Sequence, residues 1–445
     1  MHRDYDVIIV GGGVTGTALL YALSRFSNVG RMALIEKCGH VAQVNSNPMN
    51  NAQTSHDGST ETNYGLEHAR EVKVAATYLR NFVEQAEVAD LFKKTTRMVL
   101  GVGEDEVTLL HHRFVEFKND YPDLWLASAS DLRELEPMVM LGRDPNEPVC
   151  ALVTNEGYAV NYQRLAETFV SRSLDEDDST NLFFDTDLKK VRRVGKEFVL
   201  ETDRGEFRAK VVVFASGAYS LLFAQQLGYG LEYGILPVAG SFFSAGKFLR
   251  GKVYRVQIEG MPFAAIHGDP DVLNQDDTRF GPTTKPLPLM ERHQYKTFWD
   301  FMKLPIVSIR GLIVLLSILF KNHLVGYVVR NALYDVPVLG PLMFLRQARV
   351  IVPTIRYRDL KLRKGVGGIR PQIVNLEKKT DNLEMGDKTI VGDNCIFNTT
   401  PSPGASVCLA NAKRDAERVA GFLGNHYRFD SERFEAELGG VVHAR

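Results

Sequence analysis

Gly11, Gly13 and Gly16 follow the apolar run Val7-Ile8-Ile9-Val10 in the spacing G-x-G-x-x-G, and Glu36 stands 20 residues beyond Gly16. These residue types are suited to gripping a dinucleotide. Gly11 permits a tight turn, Gly13 brings bare backbone up to a pyrophosphate, and Gly16 lets a helix lie close against a strand. The start of that helix aims its amides at the phosphates. Glu36 ends a second apolar run, Met32-Ala33-Leu34-Ile35, where a carboxylate can accept hydrogen bonds from a ribose diol. A lone glycine fingerprint is often an ordinary turn. Strand, helix, second strand and acid in register predict a bound adenine dinucleotide.

The rest of the chain must supply the walls of that site. At 445 residues it exceeds one ordinary core, so two intertwined domains are expected. Hydrophobic residues at 44% and charged residues at 24% describe a globular protein. The formal net charge of -1 lacks the basic footprint of a nucleic-acid binder. Cys38, Cys150, Cys395 and Cys408 are scattered without a C-x-x-C pair, which argues against structural zinc or a disulfide framework and for a reducing compartment. His111-His112 is not a metal pair, because adjacent side chains point apart. No metal site is expected. Four residues precede the first strand, so no signal or transit peptide is expected.

A polar, Asn-rich loop runs from Asn45 to Gly58 and includes Gln53, Thr54 and His56. A loop this long is commonly functional, and this one follows the cofactor strand. Helical patterning covers Leu66 to about Ala89, a strand covers Thr96 to Val102, and a helix covers Asn161 to Ser171. A short strand lies within Asn181 to Val191. Phe198–Thr202 and Glu206–Lys210 read as a hairpin across Asp203-Arg204-Gly205. The buried strand Val211-Val212-Val213-Phe214 then ends in Ala215-Ser216-Gly217-Ala218, small enough for a second close approach to the cofactor. Near the C-terminus come the turn Lys364 to Gln372, with Gly367-Gly368, and Asn398 to Ser406, with Gly404 and Ala405. The latter leads into a helix over about 407–422, whose start can stabilise negative charge on a reduced flavin.

Residues 303–349 are compositionally different. Leu304 to Phe320 is a 17-residue apolar run carrying only Arg310. A spanning helix wants about 20 apolar residues. Lys303, Arg310, Lys321, Arg330, Arg346 and Arg349 are set against one acid, Asp335. Apolar residues flanked by cations suit an anionic lipid surface. Buried core, monotopic membrane docking and a true span all remain open on the sequence.

The N-terminal fingerprint, the loop ending Gln53-Thr54-Ser55-His56-Asp57-Gly58 and the C-terminal turn and helix resemble FAD-dependent oxidoreductases of the D-amino-acid oxidase type. Within that group, the chain resembles the malate:quinone oxidoreductases. The segments Asn50–Thr54, Gly142–Pro145, His267–Pro270, Arg279–Pro282, Gly367-Gly368 and Pro401–Ala405 carry the resemblance. It implies an α/β fold: an FAD-binding Rossmann-like domain of the glutathione-reductase/D-amino-acid-oxidase type, with a second, mixed β-sheet substrate domain. The expected partition is 1–75, 151–230 and 361–425 for FAD, with 76–150 and 231–360 for substrate. The resemblance further implies oxidation of (S)-malate to oxaloacetate, electron transfer to a membrane quinone, and a place in the citric acid cycle. Peripheral or monotopic attachment to the cytoplasmic face of the cell membrane follows from it, with the bilayer surface as a partner and nucleic acid excluded. The alternative is an FAD-dependent L-2-hydroxyglutarate dehydrogenase or oxidase. A flavin-dependent nucleic-acid-modifying protein and a purely structural FAD are more distant readings.

Hydride removal from C2 of a 2-hydroxy acid needs a base for the hydroxyl proton and cations for the carboxylates. His267 is the expected base, with Asp269 orienting its ring across the turn made by Gly268 and Pro270. His56 is the reserve, or a contact to cofactor or substrate. Arg97, Arg279 and Arg370 stand in family-like contexts and are nominated for the dicarboxylate, since guanidinium binds carboxylate bidentately. Tyr64 and Gln53 are candidate neutral donors. For FAD the candidates are Gly11, Gly13, Gly16, Glu36, Gln53, Thr54, Val191, Gly217, Gly368, Gly404 and Ala405.

Overall fold

Val7, Ile8 and Ile9 are fully buried, as a parallel strand covered on both faces requires. Their strand, Asp4–Val10, pairs in parallel with Met32–Ile35 on one side and Gly205–Phe214 on the other. In the computed structural model, which describes residues 4–257, 265–321, 324–378, 383–384, 388–401 and 403–440, this sheet continues to Asn181–Phe183 at one edge. At the other edge it continues through Cys395–Thr399 to Lys388–Gly392. The side chains of Leu319 and Lys321, and Ser402 of the proline-rich turn, lie outside the described residues. Helix Val14–Phe26 makes the first crossover and packs against helices Tyr162–Glu176 and Cys408–Leu423. Tyr21 stacks on Phe169 with centroids 5.5 Å apart, fixing the middle of that layer. The expected hairpin forms, with Glu197–Thr202 antiparallel to the start of Gly205–Phe214.

A second, mixed sheet stands apart. Its order is Lys361–Leu362, Phe243–Ala245, Thr278–Gly281, His267–Pro270, Lys252–Arg255, Phe92–Val102, Val149–Val160 and Thr54–Ser55. Tyr233–Ala239 and Ile369–Asn375 pair antiparallel in a small third sheet. Backbone pairing thus follows lines other than the expected boundaries. Val149–Val160, begun two residues before the boundary at 151, belongs wholly to the second sheet through its ladder with Phe92–Val102. Helix Leu66–Gln85 crosses the boundary at 75 and buries Tyr78, Leu79, Phe82 and Val83 in the nucleotide-side core.

The apolar segment folds as three short helices: Ile309–Lys321, Leu324–Leu333 and Leu339–Ile351. Among the described residues, no helix is long and apolar enough to cross a membrane. On the first of these helices Val314 and Ile318 face inward, while Ile309, Leu312, Ile313, Leu316 and Phe320 are exposed. The exposed five fall at i, i+3, i+4, i+7 and i+11, one continuous stripe. Ile309 is 81% and Phe320 67% exposed. A soluble surface does not ordinarily carry so large an apolar patch.

Candidate active site

The three expected cofactor segments meet because side chains tie their loops together. Asn45 donates to the Ile369 carbonyl at 2.9 Å and accepts from its amide at 3.2 Å. Asn50 accepts from the Gly367 amide at 3.0 Å. The His56 amide donates to Ser406 Oγ at 2.9 Å. First and last segments of the chain therefore close on a single cavity of about 860 Å³.

At one end of the cavity lies the glycine turn. Gly11 sits at φ +108°, and a Cβ there would meet the Ala215 carbonyl oxygen at 2.5 Å. A Cβ on Gly16 would meet the Gly11 carbonyl oxygen at 2.0 Å, so helix and strand approach only without side chains. Glu36 is held by the Gly12 amide at 2.6 Å and the Cys38 amide at 2.8 Å, and it lines the cavity. Gly11, Gly13, Gln53, Thr54, Gly217, Gly368, Gly404 and Ala405 line it as well. Gly16 supports from behind. Gln53 is committed structurally: its amide donates to the Pro48 carbonyl and Asp271, and accepts from the Val272 amide. That leaves no side-chain donor for a substrate. Val191 is displaced from the expected cofactor contact. It is buried under the hairpin, its amide faces Gln226, and Leu188 and Lys189 of the same strand reach the cavity instead.

At the other end, His56, His267 and Arg370 line the cavity, whereas Arg97, Arg279 and Asp269 do not. Arg279 is fully buried beneath the floor. It donates to Asp269 Oδ2 at 2.7 Å and to the carbonyls of Pro48, Asn51 and Ala52. Arg97 is equally buried, donating to the Ser55 carbonyl at 2.6 Å, to Ser59 Oγ at 2.8 Å and to Asp57. Both arginines are struts that fix the 48–61 loop, not anion receptors. Arg370 is different. Its guanidinium has no hydrogen bond or ion pair among the described residues, and burial pulls its pKa down.

His267 stacks on Tyr254, centroids 4.5 Å apart. Its Nε2 lies 3.3 Å from Asp269 Oδ1, yet both atoms are buried without a formed hydrogen bond. Its Nδ1 faces the Ala265 carbonyl at 3.4 Å. Burial lowers its pKa against the pull of Asp269, so the ring is neutral near pH 7. Asp269 is ionised far below the carboxylate range, because Arg279 and Lys252 outweigh its desolvation. Lys252 is itself brought down to about 8 by burial, with Asp269 opposing.

His56 has the simpler arrangement. Its Nδ1 donates to Glu61 Oε1 at 2.6 Å, and Nε2 has no hydrogen-bond partner among the described residues. Burial works against ionisation of Glu61, but Arg97, His56 and Arg113 overcome it and hold its pKa at about 2. Sequence reasoning missed Glu61, Lys252 and Tyr254. The first stands five residues after His56 in a loop already marked as functional, a usable signal. The other two reach the site through strand pairing, which has no local sequence mark.

The sequence profile of the malate:quinone oxidoreductase (Mqo) family matches residues 3–414. The chain belongs to that family. A malate:quinone oxidoreductase of Helicobacter pylori (strain J99) is 36% identical over 98% of both chains. A probable malate:quinone oxidoreductase of Campylobacter jejuni is 35% identical over 98% of this chain and 99% of its own. Among solved structures, glycine oxidase from Geobacillus kaustophilus superposes with a TM-score of 0.65 at 18% identity, covering 94% of this chain and 95% of that one. L-α-glycerophosphate oxidase from Mycoplasma pneumoniae with FAD bound gives 0.63 at 17% identity over 94% of each. The expected α/β fold, a Rossmann-like layer joined to a mixed β-sheet layer, is the fold of these two proteins. As a member of the malate:quinone oxidoreductase family, this chain is an oxidoreductase.

Proposed function

We propose that this chain oxidises (S)-malate to oxaloacetate with FAD as its cofactor and a membrane quinone as the final electron acceptor, a step of the citric acid cycle. One observation carries the reading. A single cavity joins a dinucleotide cradle to a guanidinium and a histidine ring nitrogen that are both without a partner among the described residues. The residues fit FAD: bare backbone at Gly11 and Gly13, an anchored carboxylate at Glu36, and small residues at Gly217, Gly368, Gly404 and Ala405 along its length. FAD, when bound, supplies a two-electron acceptor for the hydride on C2 and a path onward to quinone.

The chain's own residues do the rest. Arg370 holds one carboxylate of the dicarboxylate, gaining the counter-charge it lacks. His56 takes the hydroxyl proton on Nε2, since Nδ1–H is fixed toward Glu61 and the ring's tautomer is thereby set. The Glu61 carboxylate then stabilises the imidazolium that forms. This moves the base from His267 to His56: both nitrogens of His267 face Asp269 and the Ala265 carbonyl. His267 and Tyr254 form a neutral wall that excludes water beside C2. Peripheral docking on the cytoplasmic face of the membrane, through the exposed stripe on Ile309–Lys321, gives access to a lipid-dissolved quinone.

The test is anaerobic. Purified holoprotein mixed with malate should lose its oxidised-flavin absorbance, and a quinone analogue should restore it. Bleaching by L-2-hydroxyglutarate but not by malate would transfer the assignment to that substrate.

A further inference from the structure

The cations of the 303–349 region are not evenly spread. Arg330 and Arg346, on the second and third apolar helices, share one cavity of about 620 Å³ with Arg255 at the end of strand Lys252–Arg255. Gln347, Leu342 and Met343 complete the walls that matter, and among the described residues no carboxylate lines it. Arg255 is held in place from behind. Its Nη1 donates to Gln347 at 3.1 Å, its Nη2 is 3.5 Å from Glu106, and its Nε is buried without a hydrogen bond. Arg330 lies 5.7 Å from the Tyr327 ring. Neither Arg330 nor Arg346 has a hydrogen bond or ion pair among the described residues.

Three arginines around one hollow, with a single acid at its back among the described residues, concentrate positive charge there. An anion with several oxygens balances that charge, and phosphate matches the guanidinium fork. The surroundings decide the source of the phosphate. Leu342 is a wall of the cavity and is also 57% exposed, and Val329, next to Arg330, is 54% exposed. Apolar surface continuous with an arginine-lined hollow matches an acidic phospholipid, tails beside headgroup.

We propose that the cavity between Arg255, Arg330 and Arg346 is a headgroup site for an acidic phospholipid, separate from the catalytic cavity. It rests on the membrane docking proposed above and deepens it from a general surface to a located site.

The experiment measures binding of the FAD-loaded protein to vesicles of phosphatidylcholine alone and of phosphatidylcholine mixed with phosphatidylglycerol. The wild type should prefer the mixed vesicles by about tenfold or more, given about 1 kcal/mol for each cation near an anionic surface. Arg330→Gln with Arg346→Gln should abolish most of that preference while retaining binding to neutral vesicles and malate-dependent reduction of a soluble dye. A charge-matched control, Arg310→Gln with Arg349→Gln, should retain most of it. Equal loss in the two double variants would mean diffuse attraction and overturn the site. So would a wild type indifferent to phosphatidylglycerol. Inorganic phosphate that raises the melting temperature of the wild type but not of R330Q/R346Q, with vesicle preference unchanged between them, would assign the cavity to free phosphate. Absence of binding to either vesicle would instead refute membrane docking itself.

Discussion

Two histidine–carboxylate assemblies face the same cavity, and they are built to opposite ends. In the first, His56 leans on Glu61, which leans on Arg97, and one imidazole nitrogen is left over. In the second, Asp269 is shared by Arg279 and Lys252, and both nitrogens of His267 are turned to protein acceptors, Nε2 to Asp269 and Nδ1 to the Ala265 carbonyl. Charge explains the contrast. Arg279 and Lys252 together fix Asp269 as a structural anion, and His267 stacks on Tyr254 with its Nε2 turned to that carboxylate. Glu61 has a distant cation at 3.9 Å and a close histidine at 2.6 Å, so its charge is directed at the ring. On the assignment proposed above, a motif with histidine and aspartate two residues apart is weaker evidence for a base than a histidine whose second nitrogen faces no protein acceptor among the described residues.

The contrast can be broken most decisively at His56. His56→Ala should leave FAD bound and slow anaerobic flavin reduction by malate about 10²–10⁴-fold, the scale of a lost general base. His267→Ala should slow it far less. A stopped-flow comparison returning the reverse order would restore His267 as the base. Next in size is Arg279→Ala, which leaves Asp269 fully buried with Lys252 as its remaining cation. Chemical denaturation should show a loss of about 3–5 kcal/mol, as for other broken buried pairs. A loss under about 1 kcal/mol would mean that the second assembly is not a structural anchor.

Arg370→Gln should lower kcat/KM for malate by about 10–100-fold through the lost charge-assisted bond, about 1.5–3 kcal/mol. Stability should hold or rise, because the wild-type guanidinium lacks a partner among the described residues. Unchanged malate kinetics would remove it from the substrate site. The smallest effect concerns pH. The folded pKa of Glu61, about 2, lies below its ordinary value of 4.5. Its contribution to stability is therefore present above about pH 4.5 and is lost as pH falls toward 2. Thermal unfolding across that window should steepen with acid in the wild type, and Glu61→Gln should flatten it.

Much of the nucleotide end could be read from local sequence. Gly11, Gly16 and Glu36 act within one strand–helix–strand unit, where spacing alone fixes who meets whom. The convergence of Gly368 and Gly404 on the same cavity was also readable, because small residues at strand and helix ends have few other uses. Arg97 and Arg279 show where such reading fails. A guanidinium that binds substrate and one that ties down a loop look the same in sequence, and only burial and partners separate them. Val191 failed differently: nothing local marks which residue of its strand comes up to the cavity, and Leu188 and Lys189 reach it instead.

Sequence by itself determined the cofactor cradle, the alternation of strands and helices, and the presence of an apolar, cationic segment. Those properties reside in spacing and composition over at most a few dozen residues. Tertiary structure alone decided how each histidine is braced, which arginine lacks a partner among the described residues, and that the apolar stripe faces outward. Each of those depends on contacts between residues far apart in the chain, and burial, not residue type, sets the energy of a charge.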